Sequence, residues 1–420
     1  MDRRRFLNAA SLSLAGGMLT HAAACAPSKQ ASRLRAMLLG SLIGDAMGGP
    51  IEFKPPEQIA EIMPAARTWD DDRRLNQDDM SRLAESLRLF SYAKLRPDTA
   101  AYGPWMERAA AGTITDDSRH KIVLMRALRQ MRSEGRNGLR REDLAKAFLS
   151  FTPVEGAPVT GQLARLVEEG LREYRMASRW ILGERDLKQA LPIERLWAGV
   201  SNCSGQMALL PMAGVFPGQP ERAYRETFRL NFIDAPIARD IVSAMNAGLA
   251  AVLNPATDGM SAQARWDLLL KTMHRTDPYR FAEVPFAGRQ LHRWLDLANS
   301  IAQRSEGRPK VAYQLLEDEG KPVYFWDAHF TLLVPLTLLR LCEFEPLAAF
   351  HLALDFGHDT DSYAQVLGAL AGAVHGMDIW NKELSMAVES RLAADFGESI
   401  DDWTDLLAAS ATRWTDFSDS

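Results

Sequence analysis

Residues 357–376 read GHDTDSYAQVLGALAGAVHG, and two features of that stretch govern the rest of the chain. It opens on two carboxylates one residue apart, Asp359 and Asp361, with the hydroxyl of Ser362 beside them. It then runs into an Ala/Gly-rich segment where Gly368, Gly372 and Gly376 recur every fourth residue. Glycines at that period strip one face of a helix of side chains and let another backbone approach closely. Each costs about 1 kcal/mol of helix stability relative to Ala, so the run needs a return in packing. A second run with the same period stands far upstream, at Gly40, Gly44 and Gly48. The two runs are expected to form central helices that cross closely and join distant parts of the chain. Paired membrane helices use the same spacing, but Asp45 and the short apolar length argue against a lipid setting.

Both glycine runs adjoin acidic clusters. The upstream one continues as Gly44-Asp45-Ala46-Met47-Gly48-Gly49-Pro50-Ile51-Glu52-Phe53. A further cluster is Gly112-Thr113-Ile114-Thr115-Asp116-Asp117-Ser118. Adjacent carboxylates repel, and sets of them at helix N-termini make physical sense when a cation neutralises them. Carboxylates, hydroxyls and carbonyls are hard oxygen donors, suited to Mg2+, Mn2+ or Ca2+ rather than Zn2+. Each cluster alone has an ordinary reading: Thr-Asp-Asp-Ser is a common helix cap, and Asp-x-Asp is common on solvated turns. Their combination with close-packing glycines is the specific signal. Gln77-Asp78-Asp79-Met80 also opens an amphipathic segment and competes with Asp116 and Asp117 for the same role. The hydroxyls on both sides of the latter pair favour Thr115 to Ser118.

The remainder reads as all-α. Apolar residues fall on one helical face at Met80, Leu83, Ala84, Leu87 and Phe90, at Leu163, Val167, Gly170, Leu171 and Tyr174, and at Ile237, Ile241, Ala244, Met245 and Gly248. Turn signals such as Asn254-Pro255 separate them. The run Phe330 to Phe344 is too short to span a bilayer and reads as a buried helix. Val323-Tyr324-Phe325 is the best strand candidate and is short. His120 is expected to face solvent, His375 to cap a helix end, and Asp70-Asp71-Asp72 to form a solvated turn. Tryptophans such as Trp69, Trp105 and Trp326 read as core, although one could lie on an adenine. Asp45 is expected to hold the turn of its own motif.

Composition agrees with a globular protein: 420 residues, 47% hydrophobic and 25% charged, with a net charge of −5 that gives no reason to expect nucleic-acid binding. Three cysteines, Cys25, Cys203 and Cys342, make neither a disulfide framework nor a zinc site. A single Cys203–Cys342 bridge stays open at this point. Residues 1–24 read as an export signal: Arg3-Arg4-x-Phe6-Leu7 resembles the twin-arginine type, followed by an apolar stretch and a small-residue cleavage site. Ala22-Ala23-Ala24-Cys25 permits a cut after Ala24 or a lipid anchor on Cys25. The protein is then expected to be exported, as a periplasmic protein or a membrane-anchored lipoprotein. Residues 25–35 read as a short linker and 36–420 as one helical domain.

On Gly44 to Phe53, Thr115 to Ser118, Gly357 to Ser362 and the following Ala/Gly-rich helix, the chain resembles the ADP-ribosylglycohydrolases, relatives of the glycohydrolase that reactivates dinitrogenase reductase. The family patterns are Gly-Asp-Ala-x-Gly-x-Pro-x-Glu-Phe, Thr-Asp-Asp-Thr and Gly-Gly-Asp-Thr-Asp-Thr. Here Ser118 and Ser362 replace Thr, and His358 replaces Gly. The resemblance implies a single-domain orthogonal helical bundle around a dinuclear site for two Mg2+ or Mn2+ ions. The implied metal ligands are Thr115, Asp116, Asp117, Asp359, Asp361 and Ser362. Glu52 is implied as the catalytic acid/base, or in some members as a metal-gating ligand. The family's Gly-Asn-Gly-Ala pocket segment has its best counterpart in Ser201 to Met207, which lacks the Gly-Asn-Gly itself and offers Asn202, Ser204 and Gly205 to substrate. The implied activity is hydrolysis of an N- or O-glycosidic bond at the ribose of an ADP-ribose-like substrate. The alternatives are a non-catalytic ADP-ribose-binding or structural member, or a two-metal hydrolase of another envelope substrate.

Overall fold

In the computed structural model, which describes residues 29–62, 69, 72–88, 111–151 and 162–415, the two glycine runs meet. Helix α1 (Lys29–Gly48) and a later helix (Thr360–His375) form the most extensive helix pairing among the described residues. A Cβ on Gly40 would lie 2.4 Å from the Gly368 carbonyl oxygen, and one on Gly44 would lie 2.1 Å from that of Ala364. In return, a Cβ on Gly372 would lie 2.1 Å from the Ala36 oxygen. No larger residue fits at these crossings. Gly376 behaves differently: it ends the later helix with φ +85°, a conformation in which a side chain is strained.

The other helices surround this pair. After α1 come α2 (Pro56–Ile62), α3 (Gln77–Arg88), α4 (Asp116–Ser133), α5 (Arg141–Ser150), α6 (Gln162–Ile181) and α7 (Ser204–Leu209). Then follow α8 (Pro220–Leu230), α9 (Pro236–Val252), α10 (Ala262–Arg275), α11 (Gln290–Ser305) and α12 (Pro309–Gly320). The chain closes with α13 (Ala328–Leu341), α14 (Pro346–Phe356), α15 (Thr360–His375), α16 (Lys382–Phe396) and α17 (Ile400–Ala411). Among the described residues there is no strand, and no helix is long and apolar enough to cross a membrane.

The all-α expectation therefore holds, with local corrections. Val323 to Phe325 is loop, because Asp327 takes the Val323 N–H at 2.7 Å and turns the chain. The stretch read as a linker, 25–35, is helical from Lys29 onward. The apolar run at 330–344 is the buried helix α13 and the turn after it. On α9, Ile241, Ala244 and Met245 are core, while Ile237 in the first turn is exposed. Met80, Leu83, Ala84 and Leu87 of α3 are buried as their period requires. The expected export signal, Cys25, Phe90, Trp105, Asp70 and Asp71 lie outside the described residues, as do the side chains of Leu163, Val167 and Gly170.

Candidate metal centre

The α1–α15 crossing brings the first and third motifs into contact, and α4 brings the second. A Cβ on Gly48 would lie 2.3 Å from the Asp361 Cα, so α1 ends directly against the start of α15. Thr360 donates to the Gly48 carbonyl at 2.8 Å, which explains the residue between the two aspartates: it ties helix ends together and leaves the carboxylates free to face elsewhere. The Phe53 N–H donates to the His358 carbonyl at 2.8 Å, which sets Glu52 beside Asp359. Thr115 caps α4 by accepting the Asp117 N–H at 3.2 Å. Asp45 in turn accepts the Thr115 N–H at 3.1 Å and its hydroxyl at 2.5 Å. Asp45 thus fixes the turn of the second motif rather than that of its own. Ser362 completes the joint by donating to Asp117 Oδ1 at 3.0 Å.

Two carboxylate triads result. Oxygens of Glu52, Asp359 and Asp361 lie within 4.8 Å of one another, and so do oxygens of Asp116, Asp117 and Asp361. Asp361 belongs to both and is the shared member. Asp45, Glu52, Asp117, Asp359 and Asp361 are all buried. Burial first, and then their mutual repulsion, raises the pKa of Asp117 and Asp361 well above the ordinary carboxylate value. Burial also raises Asp45, and it raises Asp359 to about 7 with help from Asp116.

The donor set fits hard divalent ions. The Asp359 Oδ2 atom is buried without a hydrogen-bond partner. The Thr115 hydroxyl lies 2.5 Å from Asp45 and 2.9 Å from Asp361, yet has one proton to give. Crowded anionic oxygens with too few protons between them are what a cation relieves. Thr115, Asp116, Asp117, Asp359, Asp361 and Ser362 all converge here, with Glu52 on the Asp359 side.

The rival pair is employed differently. Asp78 is exposed, and neither Asp78 nor Asp79 belongs to either triad. Asp79 pairs with Arg73 at 2.5 Å and with Arg82; burial opposes its ionisation, but these partners and the Asn76 N–H hold its pKa below the usual range.

The segment from Ser201 borders the centre through Cys203, whose Sγ lies 3.5 Å from the Ser362 hydroxyl. Asn202, Ser204 and Gly205 are buried and engaged internally. Asn202 accepts the Ser204 N–H at 2.9 Å, Ser204 shares a hydrogen bond with the Tyr174 hydroxyl at 2.7 Å, and the Gly205 N–H donates to Asp234 at 3.0 Å. Cys203 and Cys342 are separate buried thiols, which closes the question of a bridge between them.

His120 corrects its expectation. It is buried against the Tyr174 ring at 4.8 Å, and burial lowers its pKa to about 4. His375 sits in the last turn of α15 and accepts the Trp266 indole N–H at 3.1 Å. Trp69 packs partly buried against the core under Arg73, and Asp72 is solvated as expected.

Three features of the site escaped the motif reading. Lys121 lies beneath the carboxylates, 1% exposed; burial lowers its pKa to about 8 against the pull of Asp117 and Asp45. A lysine three residues past a capping motif gives no sequence signal of burial. The second feature corrects the core expectation for Trp326: it belongs to an exposed aromatic cluster that includes Phe53, the neighbour of Glu52 in the chain. Tyr324 and Trp326 stack 4.7 Å apart and Phe53 meets Trp326 edge-on at 5.9 Å, yet they remain 45, 39 and 45% exposed respectively. The irregular composition of residues 321–327 hid this surface. The third is how His358 fits where the family pattern has Gly. Its φ is +61°, the left-handed region that glycine prefers. Its ring turns outward onto Phe325, 3.7 Å between centroids, and to Glu317 at 2.9 Å. The substitution therefore keeps the backbone of the motif and leaves the carboxylates unobstructed.

The fold and site define an all-α protein whose three acidic motifs close into two carboxylate triads of hard oxygen donors, a cluster of the kind that can hold a metal ion. The family model for ADP-ribosylglycohydrolases matches residues 26–415, and the chain belongs to that family. A comparison with curated proteins returns no match.

Proposed function

We propose that this protein is a metal-dependent glycohydrolase that cleaves the N- or O-glycosidic bond at the ribose of an ADP-ribose-like substrate, after export from the cytoplasm. The observation that carries the reading is the pair of carboxylate triads sharing Asp361. Thr115, Asp116, Asp117, Asp359, Asp361 and Ser362 would hold two Mg2+ or Mn2+ ions. When bound, such ions supply positive charge that orients the vicinal hydroxyls of a ribose.

The chain's own groups do the rest. Glu52, a member of one triad and held beside Asp359 by the Phe53–His358 backbone bond, would take a proton from the attacking water or give one to the departing atom. Loss of the aglycone leaves an oxocarbenium-like sugar, which the surrounding carboxylates stabilise electrostatically. The Phe53, Tyr324 and Trp326 surface offers flat apolar area to a planar ring of the substrate.

A second reading keeps the centre and changes the substrate. It is favoured by the internal hydrogen bonds of Asn202, Ser204 and Gly205, which leave less for a sugar than the family's Gly-Asn-Gly segment would. The twin-arginine-like N-terminus fits both readings, since that route carries folded proteins and would let the centre load before export.

The test is release of free ADP-ribose from arginine-linked and serine-linked conjugates, measured by chromatography with Mg2+, Mn2+ or a chelator. Metal-dependent release from either conjugate supports the first reading. Metal binding with no release from either moves the weight to the second. Full release in chelator overturns both.

A further inference from the structure

The proposed reaction makes no use of Lys121, a buried cation beside the carboxylates. Lys121, in the second turn of α4, donates from Nζ to the Asp117 carbonyl oxygen at 2.7 Å and to Gln365 Oε1 at 2.6 Å. The same Gln365 oxygen accepts the Ser41 hydroxyl at 3.1 Å. One ammonium therefore pins α4 to α15 and, through Gln365, to α1, which are the three helices that carry the acidic motifs. Both of its acceptors are neutral amide oxygens, and among the described residues no carboxylate forms an ion pair with it. Its charge is not consumed by one partner and acts on Asp117, Asp45 and Asp361 together. A buried lysine is expensive to desolvate, and here it sits against several buried anions that are costly for the same reason.

We propose that Lys121 is a resident counter-ion of the acidic centre. It holds the three motif helices in register when no divalent ion is bound, and it weakens the grip of the carboxylates on divalent ions so that these exchange rather than lock in. The inference rests on the reading that the centre takes divalent ions. A fixed positive charge near a cation site always opposes a second cation there, and the effect is largest where water is excluded.

The test compares the full-length protein with Lys121→Met and Gln365→Glu. Two quantities are read: the melting temperature in chelator, and Mn2+ affinity by calorimetric titration. Wild type is expected to unfold cooperatively in chelator with only a small gain on adding Mn2+. Lys121→Met is expected to melt about 5 °C or more below wild type in chelator, to recover with Mn2+, and to bind Mn2+ about tenfold tighter or more. Gln365→Glu keeps the lysine and gives it a carboxylate partner, so its Mn2+ affinity is expected to rise in the same direction. Unchanged or weaker Mn2+ binding in both variants overturns the proposal. If Lys121→Met does not fold even with Mn2+, the affinity of Gln365→Glu decides. If wild type binds no Mn2+, the metal reading itself fails, and an unchanged melting temperature of Lys121→Met in chelator then removes the structural role as well.

Discussion

Asp361 is where function and stability pull hardest against each other. It belongs to both triads, shares the Thr115 hydroxyl with Asp45, and has its pKa pushed well up by burial and by Glu52 and Asp117. Replacing it with Asn keeps the shape and removes a buried acid that must take up a proton on folding near neutral pH. Asp361→Asn is therefore expected to lose divalent-ion binding by about a hundredfold or more while melting several degrees higher than wild type in chelator. Titration calorimetry and thermal unfolding on the same sample check both halves, and a variant that melts lower in chelator contradicts the account of mutual repulsion. Trp326 tests the other side of the site. It is 39% exposed and stacked on one face only, by Tyr324, so its loss costs the fold little. Stacking of a base on an aromatic ring is worth about 1–3 kcal/mol by alanine substitution. Trp326→Ala is expected to raise KM about tenfold and leave kcat within about threefold, read from steady-state kinetics; a fall in kcat at constant KM would place the ring at the reacting bond instead.

Between elements, the α1–α15 crossing sets the geometry of everything above it. A Cβ on Gly44 would lie 2.1 Å from the Ala364 carbonyl oxygen, in backbone that cannot step aside without moving a helix. Overpacking typically costs about 1–3 kcal/mol and more where backbone must shift. Gly44→Ala is expected at or above the top of that range, about 3 kcal/mol by denaturant unfolding, and to weaken divalent-ion binding because α1 ends against Asp361. Gly259→Ala serves as the control, since nothing lies within 4 Å of its Cβ position and its backbone is not left-handed. This crossing was legible in the sequence because glycine spacing records backbone proximity directly. Its limit shows at Gly376, which continues the period by number but ends the helix by conformation. Ile237 shows a related limit: it shares the period of the α9 core face, but in the first turn it has no neighbour to bury it. His120 fails in the other direction, because its burial is decided by Phe148 and Tyr174, which come from other helices.

Across the whole molecule, the centre draws on residues 45 to 362, and its acidic members could be read from three short motifs while its basic member could not. Carboxylates in clusters advertise themselves, because unpaired like charges have few ordinary uses. A single lysine has many, and only the convergence of α1, α4 and α15 makes Lys121 internal. That convergence gives the metal-free fold a definite pH response. Asp359 and Asp234 are raised to about 7, chiefly by burial, and Asp45, Asp117 and Asp361 are raised as well. In the unfolded chain these groups release their protons near pH 4. The folded state therefore holds protons that the unfolded state has lost, so their contribution is full below about pH 4 and is lost as pH rises through the raised folded values, about 7 for Asp359 and Asp234. His120 and His375 act in the opposite sense: burial lowers both to about 4, so their contribution is present above the unfolded value of about 6.5 and is lost as pH falls through about 4. The two sets offset each other below about pH 6.5, and above it the carboxylates act alone until the buried Lys121, lowered to about 8, adds an opposite trend. From about pH 6.5 to about 8 the chelated protein is thus expected to lose stability, by up to about 1.4 kcal/mol per pH unit for each group still titrating. Divalent ions compete with those same protons, so Mn2+ is expected to flatten the decline. The gap between melting temperatures with Mn2+ and with chelator should widen across that window. Scanning calorimetry at three pH values in each condition measures the gap directly; a gap that stays constant or narrows would mean that the ions bind away from the buried carboxylates.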